Sequence, residues 1–305
     1  GGVYFASRSE REALLACAAL FGDAAGTSIP AGRARVLRLP PAAEGETGVP
    51  GVSYSEKQEV HFLSPPLPPR AWTNMLYGGG LGCAAADNGP AALWCENARE
   101  CPIVPWPGDA LAADGAERLW IETEHGTESL FSDGGVCKIT FGFGYARWER
   151  DIGGNRIAVT AFIPPDAPVR VLLLESTAPC EVSCFAPVQL APEREDAASA
   201  SVWRDGGAIC AENPRCPYKD VRVTLRCSAP WISAGTEAHF LFGETTDAPR
   251  RGLPALAGVF RLEKETVLLL GAADVPALLD IARAREALAK TKAWWAQRVM
   301  GEKYS

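Results

Sequence analysis

One short segment of the chain combines aromatic rings with charged and amide side chains. Trp94 is followed by residues 96–100, which contain two glutamates, an asparagine and an arginine. Flat rings stack on the apolar face of a pyranose, and carboxylate, amide and guanidinium groups bond its hydroxyls. This pattern is typical of a carbohydrate-binding surface. The candidate binding residues are Trp94, Glu96, Asn97, Arg99, Glu100, Trp106 and Arg147.

The two glutamates of this segment allow a second interpretation. Glycosidic cleavage needs a carboxylic acid as proton donor and a second group as nucleophile or base. Glu96 and Glu100 would share one side of a helix, but Pro102 and Pro105 favour a loop. In a loop, Arg99 would pair with one carboxylate and fix the loop conformation. Loop locking, sugar contact and catalysis stay open as roles, and we predict that the chain contains no catalytic residue.

Other chemistry-bearing residues have simpler structural explanations. Trp94 and Trp106 are either core residues or stacking platforms. Residues 78–82 (GGGLG) resemble a phosphate loop, but no Lys-Ser/Thr pair follows and no helix begins there. Glycines at 142 and 144, before Arg147, admit close backbone approach in a twisted strand. The histidines at 61, 125 and 239 have no obvious partner, and no G-x-S-x-G motif is present.

The cysteine pattern bears on metals and on the cellular compartment. The chain has 10 cysteines, scattered without a C-x-x-C pair, and only 3 histidines, so we predict no zinc site and no cofactor. An even number of cysteines would suit disulfides in a secreted protein. A chain of this size is stable without them and shows no signal peptide, so we expect free buried thiols and a cytoplasmic location.

Composition excludes two classes of partner. The net charge is −7 over 305 residues, and no run of lysines and arginines could bind nucleic acid. No apolar stretch approaches the ~18 residues needed to span a bilayer. The length suits one large β domain or two small ones.

The elements that would position the candidate site are mostly short strands. From Leu76 to Leu270, strand patterns alternate with Gly- and Asp-containing turn signals, and long helical patterns are absent. This favours a large antiparallel sandwich over a doubly wound α/β sheet. The clearest strands are predicted at 118–123, 137–141, 156–163, 169–174, 220–227 and 266–270.

Helices are predicted only near the two ends of the sequence. Residues 9–22 form an amphipathic pattern with a serine cap, and residues 275–299 form a longer one rich in helix formers. The second helix has an apolar stripe that needs a partner surface. The stripe consists of Leu278, Ile281, Ala282, Leu288, Trp295 and Val299.

Four segments resemble the signature of glycoside hydrolase family 94, which contains the cellobiose-type phosphorylases and part of the cyclic β-1,2-glucan synthases. Residues 94–100 (WCENARE), with Pro105-Trp106 and Asp109, are similar to W-A-E-N-S-R-E-N-x-x-T-P-W-x-N-D. The other three segments are 69–74 (PRAWTN), 142–149 (GFGYARWE) and 162–169 (FIPPDAPV). Departures from the pattern include Cys95, Cys101, Val104 and Phe141, and the last three replace polar residues.

The resemblance implies a fold and the domain in which the catalytic groups lie. The fold is all-β, a large antiparallel β-supersandwich with a short N-terminal helix and a C-terminal linker helix. In this family the sandwich leads into an (α/α)6 barrel that carries the general-acid aspartate and the phosphate site. We therefore expect a lead-in at 1–64, the sandwich at 65–272 and a linker helix at 273–305.

The expected function follows from that arrangement. The chain would be the non-catalytic sandwich of a phosphorylase-like or glucan-synthase-like enzyme acting on β-glucosides, with inorganic phosphate as co-substrate of the parent enzyme. Its expected partners are the catalytic helical domain of the same parent chain, a β-glucan or oligosaccharide, and a second copy in a homodimer. The alternative is a free-standing, lectin-like carbohydrate-binding sandwich.

Overall fold

The computed structural model describes residues 51–55, 59–65, 72–105, 117–124, 126–218, 221–237 and 254–301. These residues form nineteen strands and one α-helix. The strands are β1 (Val52–Tyr54), β2 (Val60–Ser64), β3 (Thr73–Gly78), β4 (Leu81–Ala86), β5 (Gly89–Cys95), β6 (Pro102–Val104), β7 (Arg118–Thr123), β8 (Gly126–Ser129), β9 (Cys137–Gly142), β10 (Tyr145–Ile152), β11 (Asn155–Phe162), β12 (Val169–Ser176), β13 (Cys180–Pro187), β14 (Ser201–Asp205), β15 (Ala208–Glu212), β16 (Val223–Cys227), β17 (Trp231–Glu237), β18 (Pro254–Leu262) and β19 (Glu265–Gly271). The helix is α1 (Ile281–Gly301), and short 3-10 turns lie at Ser132–Gly134, Arg194–Ser199 and Pro276–Leu279.

The strands form three sheets in which the paired strands run antiparallel. The large sheet has ten strands in the order β1-β2-β9-β10-β11-β12-β19-β16-β15-β14. A five-stranded sheet has the order β17-β18-β13-β7-β8, and a four-stranded sheet has the order β3-β4-β5-β6. The prediction of an all-β antiparallel sandwich is confirmed. Strands β1 and β2 belong to the large sheet although they lie in the stretch expected as a lead-in, and the helix expected at 9–22 lies outside the described residues.

One face of the large sheet, here called the inner face, is covered by both smaller sheets. Alternate residues of β10, β11, β12 and β19 join a single buried cluster with apolar residues of the four- and five-stranded sheets. Trp148 is fully buried there and donates its indole N–H to the carbonyl of Ala86 at 2.9 Å. This bond satisfies the polar atom of the ring and ties the large sheet to β4.

The opposite, outer face of the large sheet carries helix α1. The alternate residues of the same strands that point to this face, among them Tyr145, Phe162 and Val171, pack against Ala284 and its apolar neighbours on the helix. Asp280 precedes the helix, and its carboxylate accepts the backbone N–H of Arg283 at 2.9 Å, as an N-cap does. Because the large sheet is buried on both faces, β11 and β12 are apolar along most of their length.

The helix expected at 275–299 is present but begins at Ile281, after the turn at Pro276–Leu279. Its predicted stripe is partly wrong: Ala282 is exposed, whereas Ala284 and Thr291 are fully buried. The reason is the 3.6-residue period, because Ala284, Leu288, Thr291 and Trp295 follow Ile281 on one side of the helix. No helix within the described ranges is both long and apolar enough to cross a membrane.

Candidate functional site

The candidate loop joins β5 to β6, and its own backbone closes it. The side-chain oxygen of Asn97 accepts the backbone N–H of Arg99 at 2.9 Å and that of Glu100 at 3.1 Å. The N–H of Cys101 donates to the carbonyl of Asn97, and the N–H of Cys95 donates to the carbonyl of Cys101. An asparagine side chain that satisfies two backbone donors fixes a turn. Residues 96–100 are therefore ordered although all five are exposed.

Glu96 ties this loop to the neighbouring hairpin. It has a positive φ of 58°, which is uncommon for a residue other than glycine, and its N–H donates to the carbonyl of Gly80 at 2.7 Å. Its carboxylate lies over Gly80, where an added Cβ would be 2.3 Å from Oε1. A side chain at position 80 would clash with the Glu96 carboxylate, so glycine suits the place where the loop folds back on the hairpin.

The charged residues of the loop are arranged differently from the expected ion pair. Among the residues that the structure describes, Arg99 forms no ion pair with Glu96 or Glu100. The hydroxyl of Tyr218 instead donates to Oε2 of Glu100 at 2.9 Å, and this bond raises the pKa of Tyr218. Asn97, rather than Arg99, thus locks the loop. The guanidinium group of Arg99 is left on the surface.

Trp94 is half-buried and belongs to an apolar groove. Its ring lies over Gly82, where an added Cβ would be 2.3 Å from the indole. The groove has a volume of about 180 Å³, and its lining is almost entirely carbon. Few polar atoms face it to pair with pyranose hydroxyls, and an unpaired hydroxyl is costly to bury. The lining comprises Met75, Ala84, Ala92, Leu93, Trp94, Ala98, Pro102 and Val104.

Arg147 does not share a surface with the loop. It lies on β10 facing the outer side of the large sheet, whereas the neighbouring Trp148 faces the inner side. Its guanidinium donates to the hydroxyl of Thr160 at 2.8 Å, forms an ion pair with Glu175, and lies 3.5 Å from Glu149. The structure brings Trp94, Glu96, Asn97, Arg99 and Glu100 together and places Arg147 elsewhere. Trp106 lies outside the described residues.

The glycine-rich run at 78–82 forms a hairpin between β3 and β4. A Cβ added to Gly78 would lie 2.2 Å from the carbonyl oxygen of Pro164, and the N–H of Gly79 donates to the carbonyl of Pro165 at 3.0 Å. These glycines let the hairpin contact the loop between β11 and β12. The run packs against protein backbone, which differs from the phosphate-loop alternative.

The histidine within the described residues has partners. Nδ1 of His61 lies 2.9 Å from the hydroxyl of Thr140, and Nε2 lies 3.7 Å from a carboxylate oxygen of Glu59. The other two histidines, His125 and His239, lie outside the described ranges. Among the described residues, no group of three or more His, Cys, Asp or Glu side chains is arranged to hold a metal ion.

The segments that resemble the family signature contact one another in the structure. Both N–H groups of the Asn74 amide are used, one on the carbonyl of Gly142 at 2.9 Å and one on that of Tyr145 at 2.8 Å. Asn74 thus joins the 69–74 segment to the 142–149 segment. The 162–169 segment contacts the β3–β4 hairpin, and that hairpin contacts Glu96. The signature residues therefore hold one another in place.

Comparison with known proteins decides the family. Residues 57–225 match the model of the glycosyl hydrolase 94 supersandwich domain, which is more than half of the chain. The chain belongs to this family. The resemblance found in the sequence is thereby confirmed, and no curated protein matches the chain significantly.

Solved structures that the comparison found are distant from this supersandwich domain. A bacterial glucoamylase complexed with acarbose has 6% identity and a TM-score of 0.48, over 76% of this chain and 39% of that one. A putative aldose 1-epimerase from Escherichia coli K12 has 9% identity and a TM-score of 0.43, over 66% and 98%. A heparinase III has 11% identity and a TM-score of 0.33, over 67% and 34%. The supersandwich domain thus spans about two fifths of the glucoamylase.

A buried ion pair at the centre of the supersandwich domain has no counterpart in the sequence analysis. Arg170 on β12 is 1% exposed, and its guanidinium donates to both carboxylate oxygens of Glu117 at 2.6 and 2.5 Å. Burial disfavours the charged guanidinium, but the charges of Glu117 and then Cys83 outweigh it and raise the pKa of Arg170. The pair joins the large sheet to the five-stranded sheet. A charged residue inside the apolar run of β12 was the available signal, since such a residue needs a buried partner.

Proposed function

We propose that this chain is the non-catalytic sandwich domain of a larger carbohydrate-active enzyme whose chemistry resides in a helical domain of the same parent chain. One observation carries the proposal: the acidic residues of the signature, Glu96 and Glu100, are exposed on a locked loop. They line neither the apolar groove beside Trp94 nor the small cavity beside Arg170. Glycosidic cleavage instead needs two carboxyl groups facing each other across a bound sugar.

The parent reaction in this proposal is phosphorolysis of a β-glucoside with inversion, or the reverse transfer of glucose to a β-glucan. Inorganic phosphate is the nucleophile, and the helical domain supplies the acid. Membership of the family supports this assignment. A cytoplasmic location and a homodimer are further parts of the same proposal.

The helix on the outer face supports a scaffold role. The Trp295 ring packs on Gly144, and the ammonium group of Lys292 lies 3.6 Å from the ring centre of Tyr145. Both contacts attach helix α1 to the hairpin of the 142–149 segment. Trp294, beside Trp295, is half-buried with the guanidinium of Arg298 3.5 Å from its ring centre. Helix α1 is thus attached firmly to the large sheet, and Arg283, Glu286 and Lys290 on its other side are exposed.

The test is an activity measurement with a matched positive control. The purified chain is incubated with phosphate and either cellobiose or β-1,2-linked gluco-oligosaccharides, and glucose 1-phosphate is measured. We expect none from the chain and turnover from the parent enzyme that includes the helical domain. Glucose 1-phosphate released by the pure chain would overturn the proposal.

A second candidate function is carbohydrate binding by the loop itself. The observation in its favour is a rigid, exposed turn that presents a guanidinium, an amide and two carboxylates beside the half-buried Trp94. Calorimetric titration with β-glucan oligosaccharides tests it. Millimolar or tighter binding that is lost in Arg99→Ala and retained in Arg147→Ala would support binding at the loop, because Arg147 is remote. No heat of binding would favour the scaffold role alone.

A further inference from the structure

Three cysteines come together where the candidate loop meets a distant turn. Cys95 and Cys101 flank residues 96–100, and Cys216 lies 115 residues further along the sequence from Cys101. The sulfur atoms of Cys101 and Cys216 are 3.5 Å apart. The nine cysteines of the described residues are free thiols, so this approach occurs without a bond.

The two segments that carry Cys101 and Cys216 are held in place by other contacts. Cys101 follows the Asn97 turn, and the N–H of Cys216 donates to the carbonyl of Asn213 at 3.0 Å. The Asn213 amide in turn donates to the carbonyls of Gln189 at 2.8 Å and Asp196 at 2.9 Å. The thiols are therefore positioned by ordered backbone on both sides. An S–S bond of about 2.05 Å needs the sulfurs to approach by about 1.5 Å.

The three thiols differ in access to solvent. Cys101 is completely buried and Cys95 is 7% exposed, whereas Cys216 is half-buried. A small oxidant in solution therefore reaches Cys216 first. The hydrogen bond that Cys101 makes with Cys95 lowers the pKa of Cys95 and raises the pKa of Cys101. Because Cys101 cannot be reached from solvent, it is placed to react second, as the resolving thiol.

We propose that Cys101 and Cys216 are a redox modification site, in which a peroxide converts the two thiols into a disulfide that fastens the candidate loop to the turn at residues 213–218. The Cys216 thiolate attacks one oxygen of hydrogen peroxide, which gives a sulfenic acid and hydroxide. The Cys101 sulfur then attacks the sulfenic sulfur, and the departing hydroxide takes the Cys101 proton as water. Two thiols and one peroxide yield one disulfide and two waters, so the peroxide gains the two electrons that the sulfurs lose.

The cross-link would act on the loop because Glu100 already bonds Tyr218 across the same junction. That surface contact is weak on its own, and a covalent bond beside it would prevent the loop from separating from the turn. Closing a loop of this length constrains the unfolded chain strongly. This inference goes beyond the proposed function and does not depend on it.

Peptide mapping of the whole chain tests the proposal directly. The protein is treated with hydrogen peroxide, alkylated, digested with trypsin without reduction and analysed by mass spectrometry. Trypsin places Cys101 in the peptide 100–118, Cys216 in 216–219, and Cys95 together with Cys83 in 71–99, so a cross-link between Cys101 and Cys216 has a mass that none of the pairings through 71–99 shares. We expect a cross-link between 100–118 and 216–219 that dithiothreitol removes.

Matched variants separate this pair from general oxidation. Cys216→Ser should lose the cross-link, while Cys95→Ser and Cys180→Ser should keep it. Cys180 is also half-buried, but its sulfur faces the hydroxyl of Ser176 at 4.0 Å. Oxidised wild type should melt roughly 5–15 °C above the reduced protein, and Cys216→Ser should show no such gain. A cross-link between 71–99 and 100–118, or over-oxidation of Cys216 without any cross-link, would overturn the assignment.

Discussion

Replacing Gly144 with alanine tests how helix α1 is attached to the large sheet. Gly144 lies in the hairpin between β9 and β10 with a φ of +76°, and an added Cβ would be 2.1 Å from Cδ1 of Trp295. Carbon atoms pack at about 3.5–4.0 Å. The hairpin or the Trp295 ring must therefore move by more than an ångström, and we expect the helix to be displaced.

Gly153 provides a matched control at the other end of β10. Its φ is +61°, and nothing lies within 4 Å of an added Cβ. Both substitutions force alanine into left-handed backbone, which costs about 1–2 kcal/mol. Only Gly144→Ala adds overpacking, which costs about a further 1–3 kcal/mol. We therefore expect Gly144→Ala to lower the free energy of unfolding by about 2–5 kcal/mol in total and Gly153→Ala by about 1–2 kcal/mol.

Two measurements check this difference. Urea unfolding followed by tryptophan fluorescence gives the free energies, and hydrogen exchange shows whether the amides of helix α1 lose protection relative to those of β11 and β12. We expect loss of helix protection in Gly144→Ala only. Equal losses of stability in the two variants, together with unchanged helix protection, would refute the packing of Trp295 on Gly144.

Three further predictions concern the interior. Arg170→Met should cost about 3–5 kcal/mol because it leaves the Glu117 carboxylate buried and unpaired, and adding Glu117→Leu should recover most of that loss in urea unfolding. Asn74→Asp should melt at a lower temperature than Asn74→Ala, because a carboxylate would face the two carbonyl oxygens that the amide now bonds. Burial raises the pKa of Asp87 above its usual 3.8, despite the hydrogen bond from Ser64. The folded state therefore favours the protonated acid, so stability should fall as pH rises from 3.8 through the folded pKa, and Asp87→Asn should remove that decline in urea titrations at several pH values.

Local patterns in the sequence predicted many strands correctly. The strand predicted at 118–123 is β7, and those predicted at 169–174 and 266–270 lie within β12 and β19. These segments combine β-branched and large apolar residues with clear turn signals, so short-range information is sufficient. Strands β4 and β5 are not among the clearly predicted strands because they are rich in alanine and glycine, which have low strand propensity.

The assignment of strands to sheets could not be predicted in the same way. Strand β12 pairs with β19, nearly a hundred residues later in the chain, although β13 follows it directly and lies in another sheet. Sheet order is a long-range property that a period-2 pattern does not encode. The same limit explains Arg147, which joined the predicted site by its motif but lies on the face of the large sheet away from the loop.

The loop around Asn97 shows why residue types alone do not decide a role. Glu96, Asn97, Arg99 and Glu100 have the groups that bind sugar, and the same groups also build a rigid turn. The structure shows the Asn97 side-chain oxygen bonded within the loop, so only the NH2 group of this amide could still bond a ligand. Of the four side chains, the Arg99 guanidinium is therefore the one best placed to report sugar contact.

The convergence of the signature segments explains how a sequence pattern can be specific without being a catalytic site. Asn74 bonds the hairpin at Gly142 and Tyr145, and Gly144 in that hairpin makes room for Trp295. A change at any of these positions would move helix α1, to which the catalytic domain is attached in the proposed function. These residues would then affect catalysis in the parent enzyme only by positioning the catalytic domain. On this argument, variants of Asn74 and Gly144 should impair the parent enzyme without altering any group that touches the substrate.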